Sequence, residues 1–199
     1  MAVRTPHQRP DAAPGLAPQD GPRTAALTAP AARALAVLRV TTGMIFLWAF
    51  LDKTFGWGYA TPAEGAWTSG SSPAEGYLSS VSAGPMESVF HAWAGETWVD
   101  LAYMAGMLGL GVSLVAGIGL RVAAVGGSLM MLMLWLGEFP PARHLSDGSP
   151  SMSANPLIDQ HVIYAVVMIV LAACSAGRVW GLGRVWERTP LVSRYRWLA

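Results

Sequence analysis

The chain has 199 residues, 53% of them hydrophobic and only 13% charged, with a mean hydropathy of +0.39. A soluble domain carries about 25% charged residues, so this composition excludes an ordinary water-facing globule, and a net charge of +1 gives no ground for a nucleic-acid partner. The one cysteine, Cys174, excludes an internal disulfide, a C-x-x-C redox pair and a cysteine-based metal site.

Residues 1–33 hold six prolines, four arginines and almost no large apolar side chain, so they predict a disordered tail that cannot bury a core. The segment is too long and polar for the start of a signal peptide, and the apolar run after it lacks a cleavage site. Four apolar runs follow, over 34–51 (interrupted by Arg39), 101–120, 122–137 and 162–177. A bilayer crossing needs about 20 mostly apolar residues. With their flanks the runs predict transmembrane helices over about 34–52, 99–120, 121–138 and 158–177. The predicted fold is therefore all-α: a four-helix transmembrane bundle over 34–177, followed by a basic interfacial tail over 178–199.

Charge orients the bundle. Eleven basic residues fall at the N-terminus, the 119–121 turn and the C-terminal tail, whereas only Lys53 and Arg143 fall on the other side. The positive side faces the cytoplasm, which puts both termini inside a plasma membrane. The preference for Arg over Lys, with abundant Ala and Gly, points to a GC-rich bacterial genome. Arg39 is expected to snorkel to the cytoplasmic surface. Small residues at every fourth position of the second span (Ala105, Gly109, Ser113, Gly117), and the pairs Ala123/Gly127 and Ala124/Ser128 in the third, predict close helix approach.

The first outer loop, about 54–99, is rich in aromatic residues that suit a membrane interface. Met86, Val89, Phe90 and Trp93 recur at helical spacing, which predicts a short interfacial or capping helix over 86–97. Glu87 and His91 form an expected solvated pair on its other face. In the second outer loop Pro140 and Pro141 stop the third span, and Asn155-Pro156 predicts the start of the fourth.

Every span has ionisable groups at its outer end. Asp52 and Lys53 end the first, and a local ion pair is their expected arrangement. Asp100 begins the second span, and Glu138 ends the third, followed by Arg143 and His144. Asp159 and His161 begin the fourth. Trp48, Trp135 and Tyr164 lie about one turn inside these groups. Acids and bases beside aromatic walls suit a lipid-soluble quinone, whose reduction couples electrons to protons. The candidate chemical residues are thus Asp52, Lys53, Glu138, Asp159 and His161, with Trp48, Trp135, Arg143, His144 and Tyr164 around the ring. The competing expectation is that helix ends simply meet water there, where an acid at a helix N-terminus is favoured by the dipole. The scattered histidines make no metal-site pattern.

The stretches LRVTTGMIFLWAFLDKTFGWGYATP (38–62), GLRVAAVGGSLMMLMLWLGEFPPARH (119–144) and NPLIDQHVIYA (155–165) resemble the DoxX/DoxD family of four-helix membrane proteins, over about residues 34–185. That family includes the large subunit of an archaeal thiosulfate:quinone oxidoreductase, and actinobacterial members linked to membrane complexes that handle thiols. The resemblance implies a subunit of a quinone-linked oxidoreductase that uses menaquinone or ubiquinone and works with a second membrane or soluble subunit. A non-enzymatic scaffold that anchors soluble oxidoreductases is the alternative. A small transporter fits less well, because no span carries a charge at mid-depth and no internal repeat is present.

Overall fold

The computed structural model describes residues 27–138, 143–151, 155 and 157–198. The predicted disorder of 1–26 and the Pro140-Pro141 stop lie outside the described residues. Helix α1 (Ala29–Phe55) opens on an N-cap, with Thr28 accepting from the Ala31 amide at 3.5 Å and a proline in its first turn. It therefore starts inside the expected tail, five residues before the first apolar run. It ends at Gly56, whose φ of 65° suits a residue without Cβ. Two short helices, α2 (Glu75–Ser80) and α3 (Glu87–Trp93), follow in the first long loop. Then come α4 (Thr97–Ala116), α5 (Leu120–Gly137) and α6 (Gln160–Ala173), and two further short helices, α7 (Gly183–Trp186) and α8 (Pro190–Arg194).

Three helices, α1, α4 and α5, are long and apolar enough to cross a membrane. The 14 residues of α6 span about 21 Å at 1.5 Å each, short of a hydrocarbon core of about 30 Å. The fourth predicted span is thus cut at both ends. Asp159 caps it, accepting from the His161 and Val162 amides, so Asn155-Pro156 is not its start. Asn155 instead accepts from the Leu157 and Ile158 amides in a local turn. At the other end Ser175 takes a left-handed conformation and turns the chain out of the helix.

α1 packs along α4, α5 packs along α6, and the Gly117–Gly119 turn makes α4 and α5 a hairpin. Phe46, Leu110, Leu114, Met131, Met168 and Leu171 form the shared core. The outward faces are apolar too. Val37, Ile45, Leu101, Val112, Val125, Leu129, Ile163 and Ile169 are between 44% and 62% exposed. Contiguous apolar surface on this scale belongs against lipid rather than water.

Close approach uses a different small-residue face from the one expected on α4. A Cβ on Gly43 would sit 2.8 Å from Leu114, and one on Gly111 would sit 2.8 Å from the Leu47 backbone, so these glycines seat α1 on α4. Ala105 and Gly109 instead lie on the exposed face of α4. On α5 the expectation holds: Gly127 is buried, and a Cβ there would collide with the Met168 side chain.

Arg39 does not snorkel. It is fully buried, and its guanidinium donates to the carbonyls of Leu114 and Val115 at the C-terminus of α4 and of Val179 (3.4 Å) and Trp180 (2.9 Å) beyond α6. A cation suits the negative end of a helix dipole. Here it also fixes the C-terminal segment to α4, and Gly117 leaves room for it, since a Cβ there would lie 2.8 Å from the guanidinium. The tail after Arg178 is therefore a packed structure, with Val192 buried and an Arg178–Glu187 ion pair at 2.7 Å.

Candidate functional site

The end of the bundle opposite Arg39 carries the acids, but they do not form a single ring. At the α1–α4 corner, Asp52 is buried and accepts from the amides of Tyr59 (3.4 Å), Ala60 (2.9 Å) and Thr61 (2.9 Å). The expected ion pair with Lys53 is absent. Lys53 donates to the Pro73 carbonyl at 3.2 Å and lies over the Tyr103 ring. Asp100 accepts from the Ser72 hydroxyl at 2.8 Å and the Ala74 amide at 3.0 Å. These three groups pin the 57–74 loop to the bundle, with Asp52 serving three amides and Asp100 Oδ1 serving a hydroxyl and an amide. Trp48 belongs to the same corner, with its ring 5.3 Å from Trp57 and 5.1 Å from Tyr59.

The α5–α6 corner is different. His161, the second residue of α6, is 8% exposed, and its Nδ1 stands 2.7 Å from Asp159 Oδ2 and 4.0 Å from Glu138 Oε2. Asp159 is held by the first-turn amides it caps. Burial pushes its carboxyl up, but the hydrogen bond and charge of His161 and the amides of Val162 and His161 outweigh that and hold it below its ordinary value. A carboxylate kept ionised there orders the imidazole. The neutral ring donates from Nδ1 to Asp159 and turns the Nε2 lone pair outward, and the protonated ring presents Nε2–H instead. Among the described residues Nε2 has no hydrogen-bond partner. Glu138 caps α5 and is half exposed, so it stands between the imidazole and water.

Ligand atoms of Glu138, Asp159 and His161 all lie within 4.8 Å of one another, close enough for a cation. The 2.7 Å contact already commits Nδ1 to Asp159 as a hydrogen bond, so the geometry is that of a histidine–carboxylate pair. Below His161 a cavity of about 320 Å³ runs between α5 and α6, lined by Ser128, Met131, Trp135, Leu157 and Val166 among others. This is at the lower end of small-molecule sites, about 300–1,000 Å³. Trp135 donates from Nε1 to the Leu157 carbonyl at 3.2 Å, which closes the top of the groove.

Of the remaining expected residues, Tyr164 faces the core, edge-on to Phe46 at 5.9 Å. Arg143 and His144 are exposed in the loop beyond α5, where His144 bridges to Pro150. His91 stands 2.7 Å from the Val81 carbonyl and Glu87 accepts from Ser146, so they do not pair with each other. Helix α3 caps the bundle through Phe90, which is 2% exposed.

A second cavity, of about 240 Å³, lies between the loop helices and α4–α5, with Tyr77, Phe90, Trp93, Trp98 and Tyr103 in its wall. No carboxylate or histidine lines it. Tyr77 donates to the Leu134 carbonyl at 2.9 Å. Burial, with the nearby charge of Glu138, pushes its phenol well above the ordinary value, so it stays a donor. This cavity has aromatic walls but no acid–base group, whereas the α5–α6 groove has both.

No family model, curated protein or solved structure matches this chain.

Proposed function

We propose that this chain is the quinone-binding membrane subunit of an oxidoreductase of the DoxX/DoxD kind. A second subunit delivers electrons from thiosulfate or another thiol or sulfur donor to menaquinone or ubiquinone. The observation that carries this reading is one lipid-facing groove that combines an apolar cavity of about 320 Å³ with a buried histidine, oriented by Asp159 and with no partner at Nε2 among the described residues. Reducing a quinone to a quinol takes two electrons and two protons. Protonated His161 gives a proton to a ring oxygen from Nε2, and the ionised Asp159 stabilises the imidazolium. Water at the outer end, beside the half-exposed Glu138, recharges the imidazole, which then gives the second proton. The electrons arrive from the donor subunit.

The same reading takes α6 with its flanks as the fourth crossing. It sets the arginine-rich end, with both termini, on the cytoplasmic side of a bacterial plasma membrane. Proton exchange then faces the outside. The test is quinone titration into the purified protein in lipid nanodiscs. Wild type binds a short-tailed ubiquinone, and His161→Ala lowers its affinity about tenfold while Asp52→Asn leaves it unchanged. Absence of binding by the wild type, or equal affinity in His161→Ala, refutes the proposal.

A further inference from the structure

The groove between α5 and α6 runs on past the cavity below His161 towards the arginine-rich end. The two stretches meet at Ser128 and Leu132. The second stretch, of about 550 Å³, ends at Arg121. Its shape follows from residue size. Ala124 on α5 and Ala172 on α6 are buried and form the floor. Val125, Leu129, Leu132 and Ile169 are between 45% and 62% exposed and form the walls. Small residues on both helices thus leave a trough between larger ones. It lies on the contiguous apolar surface of the bundle, so lipid covers it.

Its length is that of one leaflet. From Arg121 to Leu132, α5 rises about 16 Å at 1.5 Å per residue, and half of a hydrocarbon core of about 30 Å is about 15 Å. An acyl chain lying in the trough therefore has its headgroup at Arg121. Charge selects the headgroup. Arg121 is exposed, and its guanidinium donates to the carbonyls of Arg196 and Trp197, both at 3.5 Å. These long bonds bring the turn over Arg196–Leu198 to the mouth of the trough. Arg184, Arg188, Arg194 and Arg196 are exposed too and, like Arg121, have no acidic partner among the described residues. The one described acid at this end, Glu187, is paired with Arg178. Positive charge is thus left uncompensated here, and basic clusters beside membrane helices recruit anionic lipid. A zwitterionic headgroup fits less well, because its ammonium finds no unpaired acid among the described residues.

We infer that the trough holds one anionic phospholipid. Arg121 binds its phosphate, the turn at Arg196 flanks the headgroup, and one acyl chain lies along Val125 and Leu129 as far as Leu132. The lipid occupies the arginine-rich half of the groove and leaves the cavity below His161 clear, so the site does not rest on the quinone reading.

The test is native mass spectrometry of the delipidated full chain in detergent, titrated with phosphatidylglycerol or phosphatidylcholine carrying the same acyl chains. Wild type binds one phosphatidylglycerol about tenfold more tightly than phosphatidylcholine. Arg121→Gln weakens phosphatidylglycerol about fivefold, the contribution of one basic group near an anionic surface. Arg121→Lys, which keeps the charge, restores most of that loss. Arg184→Gln removes an exposed arginine that does not line the trough and leaves the affinity unchanged. Glycerol phosphate in excess does not displace the lipid, because it lacks the chain. A phosphatidylglycerol with a photoreactive group midway along one chain labels α5 between 125 and 132 and α6 near Ile169. Equal affinity for the two lipids, or equal loss in Arg121→Gln and Arg184→Gln, means general attraction to a basic surface and overturns the site. Displacement by glycerol phosphate means a site for free phosphate and overturns it too, as does labelling confined to other helices.

Discussion

Replacing Arg39 with methionine should destabilise the bundle strongly at its arginine-rich end. The guanidinium is 0% exposed, and its acceptors include the Leu114, Val115 and Trp180 carbonyls, with Val179 more distant at 3.4 Å. Methionine fits the same elongated volume but leaves these acceptors buried without a donor. Hydrogen bonds to a charged group are worth about 1.5–3 kcal/mol each. They share one side chain, and removing the cation also relieves its own desolvation, so the net cost is about 3–5 kcal/mol. For a chain of this size that lowers the melting temperature by about 6–20 °C. Thermal unfolding in detergent, followed by the loss of the monodisperse size-exclusion peak, measures it. Hydrogen exchange should locate the damage, with amides near 114–117 and 177–182 losing protection before those of α6. Arg39→Lys should fall between wild type and Arg39→Met, because one ammonium cannot reach both groups of carbonyls. A melting temperature for Arg39→Met within about 2 °C of wild type would refute the claim that Arg39 fastens the tail to α4.

Asp52→Asn should weaken the 57–74 loop by about 1–3 kcal/mol, since a carboxylate serving three amides becomes an amide with one acceptor. Limited proteolysis of that loop should accelerate, and unchanged cleavage would show that Asp52 does not anchor it. Gly177→Ala should block folding, because its Cβ would land on the Gly117 carbonyl oxygen, whereas Gly126→Ala meets nothing within 4 Å and should be tolerated. Comparing the yield of monodisperse protein separates the two, and equal yields would contradict the packing. Asp159 has a folded value below its ordinary 3.8, so its stabilisation is complete above that pH and is lost as pH falls through the lowered value. Amide protection in the first turn of α6 should therefore be the same at about pH 7 and pH 5 and drop only below the ordinary carboxyl range. A drop by pH 5 would contradict the cap.

Hydropathy placed α1, α4 and α5 closely, because length and apolar content set depth in a bilayer. It overextended α6, whose apolar run continues past Ser175 through the buried Ala176 and Gly177 of a separate 3-10 turn that does not continue the α-helix. The site illustrates a related limit. Asp52, Asp100, Glu138 and Asp159 all sit at one level, as their positions at the ends of apolar runs implied. Level says nothing about rotation around the bundle. Two of these acids turned to the α1–α4 corner and became loop anchors, while the other two converged on His161. Trp48 and Tyr164 were separated from the groove for the same reason. Arg39 announced itself as an arginine five residues into an apolar run, but its partners lie 75 or more positions away and no local pattern identifies them.

The two cavities offer the most direct test of the quinone reading, because they lie on opposite faces of α5. A photoreactive azido-quinone should be cross-linked to the full-length protein in nanodiscs and the labelled peptides identified by mass spectrometry. Adducts are expected on the α5 and α6 segments around Ser128–Trp135 and Leu157–Val166, suppressed by excess unlabelled quinone and reduced in His161→Ala. Competable labelling confined to Tyr77, Trp93 and Trp98, in the wall of the other cavity, would contradict it.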